Sequence, residues 1–165
     1  MLVWIWLFSD SVNEFKEFRT CLVDGKLGVF DSMNPSYTIF NKENKNFCVI
    51  WTEFCADYLE FLARYERDKT LYSSSTSFMP KANIPQHCFN ISMLPWICFK
   101  SFDINVFSNN EYLLPIFTMG KYFMEGKKRL LPFAVQVHHA VCDGYHVAMF
   151  LERLQNKIFG HNSKK

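Results

Sequence analysis

A two-layer α/β sandwich, with a mixed and mainly antiparallel sheet covered by helices, is the architecture this sequence predicts. Short apolar runs rich in β-branched and aromatic residues, punctuated by Asp24-Gly25 and Glu125-Gly126-Lys127, read as strands that return on themselves. Longer segments repeat their apolar residues at helical spacing with charges opposite, so each needs a surface to bury against. Composition agrees: of 165 residues 49% are hydrophobic and 18 are Phe, enough for one core and far from the profile of a disordered chain. No repeat, linker or low-complexity block divides the sequence, and 1–165 is read as one domain.

In chain order, Val3–Phe18 is expected to be a helix with Glu14, Lys16 and Glu17 on its polar side. Thr20–Phe30 reads as a hairpin turned at Asp24-Gly25, a pair that supplies the positive φ angles of a two-residue loop. Tyr37–Phe40 and Phe47–Trp51 are expected strands, separated by the polar loop Asn41–Asn46. Glu53–Lys69 carries Phe54, Tyr58, Phe61, Leu62 and Tyr65 on one helical face, and Leu71–Pro85 is aperiodic and rich in Ser and Pro. Four strands are expected next, over Cys88–Leu94, Phe99–Phe107, Leu113–Tyr122 and Leu130–His139. Tyr145–Ile158 closes the chain as a helix with Val147, Phe150, Leu151 and Leu154 on its buried stripe.

Several function classes are disfavoured. A formal charge of +2 with scattered Lys and Arg makes no nucleic-acid surface, and the short basic tail Asn162-Ser163-Lys164-Lys165 reads as a solvated end. Six cysteines without a Cys-x-x-Cys pair point to free thiols in a reducing cytoplasm rather than to zinc ribbons or disulfide staples. Met1–Phe8 is apolar, but it lacks a basic lead and a small-residue cleavage site, and Asp10 interrupts it short of a membrane span. It reads as a core helix.

The stretch that carries chemistry is Gln136-Val137-His138-His139-Ala140-Val141-Cys142-Asp143-Gly144-Tyr145-His146. Imidazole accepts a proton near neutral pH, and Asp followed by Gly is a tight-turn signal that can fix its surroundings. At the end of an expected strand, adjacent histidines point to opposite faces, so one of them is the candidate base and the other is not. The pattern suits a general base that serves a hydroxyl or thiol in acyl transfer; a histidine packed in the core is the plain alternative. Metal binding by His138, His139, Cys142 and His146 is disfavoured, because adjacent histidines diverge and no carboxylate-backed three-ligand set is evident.

His138–His146 closely resembles the signature of the chloramphenicol acetyltransferases of the trimeric, coenzyme-A-dependent type. Asn13–Arg19, Asn90–Trp96, Ser101–Val106 and Pro115–Tyr122 resemble further blocks of that family in the same order, to about Gln155. The resemblance implies that fold, acetyl-CoA as co-substrate, chloramphenicol as acceptor, and a homotrimer with its sites between subunits. It assigns His139 as general base, Asp143 as a structural partner, Ser92 as oxyanion donor and Thr118 as its support through water. Ser92 is therefore expected to approach the same cavity as His139. Phe47 and Ile104 match acceptor-pocket positions, and Trp96, Lys121 and Tyr122 match the coenzyme-A region. Cys142 is not implied as a nucleophile, because the family transfers the acetyl group directly.

Family members carry a leading segment with part of the acceptor pocket and an Arg that pairs with the motif's Asp. The chain is read as lacking it, so Asp143 is expected to find another partner or stay solvated, with lower activity and stability than an extended form. The activity expected is acetylation of chloramphenicol, hence antibiotic resistance. The alternatives are a catalytically impaired remnant or a same-fold acyltransferase for another acceptor.

Overall fold

The computed structural model describes residues 1–105 and 112–162. Helix α1 spans Leu2–Val12, shorter than the helix expected over Val3–Phe18. The chain turns where Asn13 reaches across: its Nδ2 donates to the carbonyls of Ser9 and Met33 at 2.8 and 3.0 Å, and its Oδ1 accepts from the Met33 N–H at 2.7 Å. A 3-10 turn over Lys16–Arg19 follows and drives Phe18 fully into the core. Met33 is itself fully buried. Asn13→Ala, which removes both arms of this clamp, is expected to lower stability by about 1–3 kcal/mol. The measurement is urea unfolding, with a lower midpoint at unchanged slope.

Strands β1 (Thr20–Val23) and β2 (Lys26–Val29) form the expected hairpin, with Asp24 and Gly25 at φ 52° and 72°. Strands β3 (Asn34–Asn41) and β4 (Asn46–Trp51) lead to helix α2 (Tyr58–Tyr72). This helix starts later than the expected Glu53 because Asp57 is its N-cap, accepting from the Glu60 N–H at 2.8 Å. Phe54 thus lies outside the helix, although its ring stays 6.4 Å from that of Phe61.

The second half of the chain departs furthest from expectation. It forms β5 (Cys88–Met93), β6 (Ile116–Met119), β7 (Phe123–Glu125), β8 (Lys128–Leu130), β9 (Phe133–Gln136) and helix α3 (Gly144–Asn162). Residues 99–105 are not a strand. Ile104 exchanges hydrogen bonds with the Gln136 side-chain amide at 3.0 and 2.7 Å instead of joining a ladder. Val106 and Phe107, the end of that expected strand, lie outside the described residues, as does the tail beyond Asn162.

The long strands expected over Leu113–Tyr122 and Leu130–His139 are each cut short. Pro115 and Pro132 have no N–H to give a ladder, and the Gly120 N–H donates to the Pro132 carbonyl at 2.9 Å. The Glu125-Gly126-Lys127 turn exists, with Gly126 at φ 58°, but it closes the small β7–β8 hairpin. Along α3, Phe150 and Leu154 are buried as expected, while Leu151 is exposed.

The main sheet has the order β4-β3-β5-β6-β9. β3–β4 and β6–β9 pair antiparallel, β3–β5 and β5–β6 parallel. With the two hairpins, antiparallel pairings outnumber parallel ones. The register aligns Tyr37, Ile91, Phe117 and Val135 in one row. That row faces the helices: Tyr65 of α2 lies 5.4 Å from Tyr37, while Phe8 of α1 and Phe150 of α3 lie 5.7 and 5.4 Å from Phe117. Strand alternation sends Ser92, Thr118 and Ala134 to the opposite face. Among the described residues no helix is long and apolar enough to cross a membrane.

The segment after α2 is held by a buried polar chain. Tyr37 Oη lies 2.7 Å from Thr52 Oγ1, which donates to Asp68 Oδ2 at 2.8 Å. Lys81 Nζ reaches the same carboxylate at 2.9 Å and donates to the Trp51 carbonyl at 2.9 Å, lying 4.0 Å from the centre of the Trp51 ring.

Candidate active site

Strand β9 ends at Gln136, so His138 and His139 sit in a turn beyond it rather than on the strand. Strand alternation therefore does not separate them; the turn does. The His138 carbonyl accepts from the Val141 and Cys142 N–H groups at 3.1 and 3.0 Å, and its Nδ1 accepts from the Ala140 N–H at 3.2 Å. The His138 ring is thereby tied into the turn. His139 is exposed, and its Nδ1 lies 3.3 Å from the Cys142 carbonyl. A carbonyl oxygen only accepts, so Nδ1 carries the proton in this contact. In the neutral ring Nε2 is then left with its lone pair, the state a general base needs.

Asp143 is the N-cap of α3: its Oδ1 accepts from the Tyr145 and His146 N–H groups at 2.9 and 3.2 Å. His146 adds a side-chain partner, with Nδ1 2.8 Å from Asp143 Oδ1. The His146 backbone N–H, followed by the imidazole charge and the Tyr145 N–H, holds the Asp143 carboxyl below the usual carboxylate range. The helix N-terminus and His146 are thus the partners of the Asp143 carboxylate. Cys142 is buried, and burial, then the charges of Glu17 and Asp143, push its thiol up to about 11. It stays a neutral thiol at neutral pH, which suits packing and not nucleophilic attack.

Ser92 and Thr118 are register partners on neighbouring parallel strands and share a face; Thr118 is buried and Ser92 half-buried. They lie level with Ala134 of β9, whereas His139 follows Gln136, which is opposite Ile116 at the other end of the sheet. Among the described residues no hydrogen bond joins His139 to Ser92 or Thr118.

The remaining candidates divide in the same way. Gln136 clamps Ile104, half-buried, near the His139 end. At the opposite end, Phe40, Phe47 and Trp96 form one aromatic cluster with centroids 4.8 to 6.0 Å apart. Phe47 and Trp96, assigned to different ligands by resemblance, are therefore neighbours. The Lys121 N–H donates to the Ile97 carbonyl at 2.6 Å, which brings the segment after β6 against the loop that carries Trp96. Gly120 makes this approach possible: a Cβ there would lie 2.9 Å from the Phe99 ring.

Trp96 is 52% and Tyr122 54% exposed, Lys121 is exposed, and the Arg129 guanidinium sits 4.8 Å from the Tyr122 ring centre. Open rings, one of them against a guanidinium, with the exposed Lys121 next in sequence, suit a flat base and phosphates. Among the described residues no group of three or more His, Cys, Asp or Glu could hold a metal ion. Gln136, Glu17 and the Cys142 carbonyl were not singled out for a role from the sequence. Gln136 and Cys142 lie within the motif, and Glu17 within the Asn13–Arg19 block.

The fold is shared with acetyltransferases. A solved chloramphenicol acetyltransferase superimposes with a TM-score of 0.78 at 20% identity, covering 94% of this chain and 75% of that one. A dihydrolipoamide acetyltransferase of Azotobacter vinelandii gives 0.70 at 19% identity, covering 94% and 66%. In sequence, the chloramphenicol acetyltransferase of Clostridium perfringens is 49% identical over 152 residues, 92% of this chain and 69% of that protein. The profile of the family described as chloramphenicol acetyltransferase matches residues 2–155. The chain belongs to the chloramphenicol acetyltransferase family, a family of acyltransferases.

Proposed function

We propose that this chain transfers the acetyl group of acetyl-CoA to a hydroxyl of chloramphenicol and so inactivates the antibiotic. It acts as a single cytoplasmic acetyltransferase domain in a homotrimer. The observation that carries the reading is the His139 Nδ1 contact to the Cys142 carbonyl, which leaves Nε2 as a proton acceptor in the motif turn of a family member. His139 takes the acceptor's hydroxyl proton as that oxygen attacks the acetyl carbonyl. Charge gathers on the carbonyl oxygen, where the Ser92 hydroxyl donates and Thr118 supports it through water. The carbon–sulfur bond then breaks, and the imidazolium returns its proton to the departing thiolate.

Ser92, Thr118, Phe47, Trp96, Lys121 and Tyr122 gather toward one end of the sheet, with His139 and Ile104 toward the other. A base separated from its pocket within one chain favours sites completed by a neighbouring copy. Acetyl-CoA is the co-substrate, received by Trp96, Lys121 and Tyr122, while Phe47 and Ile104 meet the acceptor ring.

The test is release of the coenzyme-A thiol with chloramphenicol and with other acceptor alcohols and amines. Turnover confined to another acceptor would assign the chain to a different substrate. Ser92→Ala is expected to lower kcat on the order of a hundredfold, with KM little changed, because one oxyanion donor is removed. An unchanged kcat would remove Ser92 from the mechanism.

A further inference from the structure

We infer that His146 is a positioning residue for the proposed base, acting through Asp143 and the Cys142 carbonyl and braced by Glu17. The inference rests on the functional reading above and extends it to residues outside the reacting set. His146 stands between two carboxylates: Nδ1 is 2.8 Å from Asp143 Oδ1 and Nε2 is 3.6 Å from Glu17 Oε1. The two carboxylates belong to different parts of the fold. Asp143 caps α3 immediately after the motif turn, whereas Glu17 lies on the 3-10 turn over Lys16–Arg19.

That 3-10 turn is a firm anchor. Phe18, beside Glu17, is fully buried, and its ring stacks 4.5 Å from Phe150 of α3. The Glu17 side chain is 17% exposed, and His146 is the partner it reaches. The partly shielded carboxylate faces the imidazole edge opposite Asp143. His146 thereby ties the start of α3 to the aromatic core.

Nδ1 of His146 has two alternative partners in Asp143, one for each state of that nitrogen. With Nδ1 protonated, the imidazole donates to Asp143 Oδ1. With Nδ1 unprotonated, it accepts from the Asp143 N–H at 3.2 Å, the contact with Oδ1 is given up, and Oδ1 keeps the helix N–H groups. In the second state the pair forms a capping box with His in place of the usual Glu or Gln. Asp143 is held in both cases, through its carboxylate in the first and its backbone N–H in the second, and it follows Cys142 directly. Cys142 is bound on its other side through its N–H to the His138 carbonyl. The Cys142 carbonyl is thus fixed from both ends, and it selects the His139 tautomer. Loss of the His146 tie frees that carbonyl and lets His139 exchange tautomers and rotate.

The experiment combines nitrogen-15 NMR of the His139 ring with acetyl-transfer kinetics on the full chain, for the parent, His146→Ala, His146→Gln and Glu17→Gln. The parent ring is expected as the Nδ1–H tautomer. His146→Ala should give a mixture of tautomers and a kcat lower by tenfold to a hundredfold, on the order of what a misplaced group costs, with KM for chloramphenicol within about twofold. His146→Gln, which can accept from the Asp143 N–H and donate toward Glu17, should keep the parent tautomer and recover most of the loss.

A His146→Ala chain that keeps the parent tautomer and kcat overturns the inference, and so does a His146→Gln chain no better than His146→Ala. If His146→Ala does not fold, Glu17→Gln decides: a partial tautomer shift in the same direction supports the inference, and an unchanged ring overturns it. Should the parent chain fail to acetylate chloramphenicol, the tautomer comparison still decides the role of His146. The missing turnover then counts against the functional reading alone.

Discussion

Replacing His139 with alanine should lower acetyl transfer by about 10²–10⁴-fold, the usual contribution of a positioned general base. KM for either substrate should move little, because in the proposed mechanism the imidazole acts as the proton leaves the acceptor and not in holding it. His138→Ala is a different experiment. His138 accepts from the Ala140 N–H within the turn, so its loss should loosen the turn and cost activity only in part. The comparison is kcat and KM for the two variants at several pH values, with far-ultraviolet circular dichroism to establish folding. An active His139→Ala beside an inactive His138→Ala would reverse the assignment. The structural warrant is the Nδ1 contact to the Cys142 carbonyl, which prepares one ring and not the other.

The largest stability effect is expected at Lys81. Its ammonium and Asp68 form a buried pair at 2.9 Å, with side-chain exposures of 14% and 4%. Lys81→Met leaves the Asp68 carboxylate with the Thr52 hydroxyl as its remaining partner in that chain. Breaking a buried pair from one side costs about 3–5 kcal/mol, whereas removing both charges costs much less. Lys81→Met should therefore lower the thermal midpoint by about 10 °C or more, and Lys81→Met/Asp68→Leu should recover a good part of it. The Trp51 indole, against which the ammonium packs at 4.0 Å, offers a fluorescence signal for the transition. Equal midpoints for the parent and Lys81→Met would show that Asp68 is compensated from elsewhere.

Local chemistry made much of the architecture legible. Asp24-Gly25 announced its hairpin because only a few residue types accept positive φ. The apolar stripe of α2 and the aromatic positions of α3 announced helices that cover a sheet, since a one-sided apolar surface has to be buried. The motif at His138–His146 was legible too, and with the neighbouring blocks it pointed to the family. Boundaries were harder. Asn13 ends α1 through Met33, and Gln136 holds Ile104 by a side-chain amide, two contacts between residues far apart in the chain. The expected strand over Phe99–Phe107 had the right residues, but in residues 99–105 no neighbouring backbone forms a ladder with it.

By itself, then, the sequence determined the layer architecture, the hairpin turns, the motif and the family, because each depends on residue type and short spacing. Tertiary structure decided where α1 ends, what stands against His146 on its far side, and how the candidate residues divide between the two ends of the sheet. Those outcomes depend on register and on contacts such as Glu17 with His146, which join segments distant in the chain. Composition and periodicity carry no record of them, because a side chain's partner across the fold is set only when the elements pack.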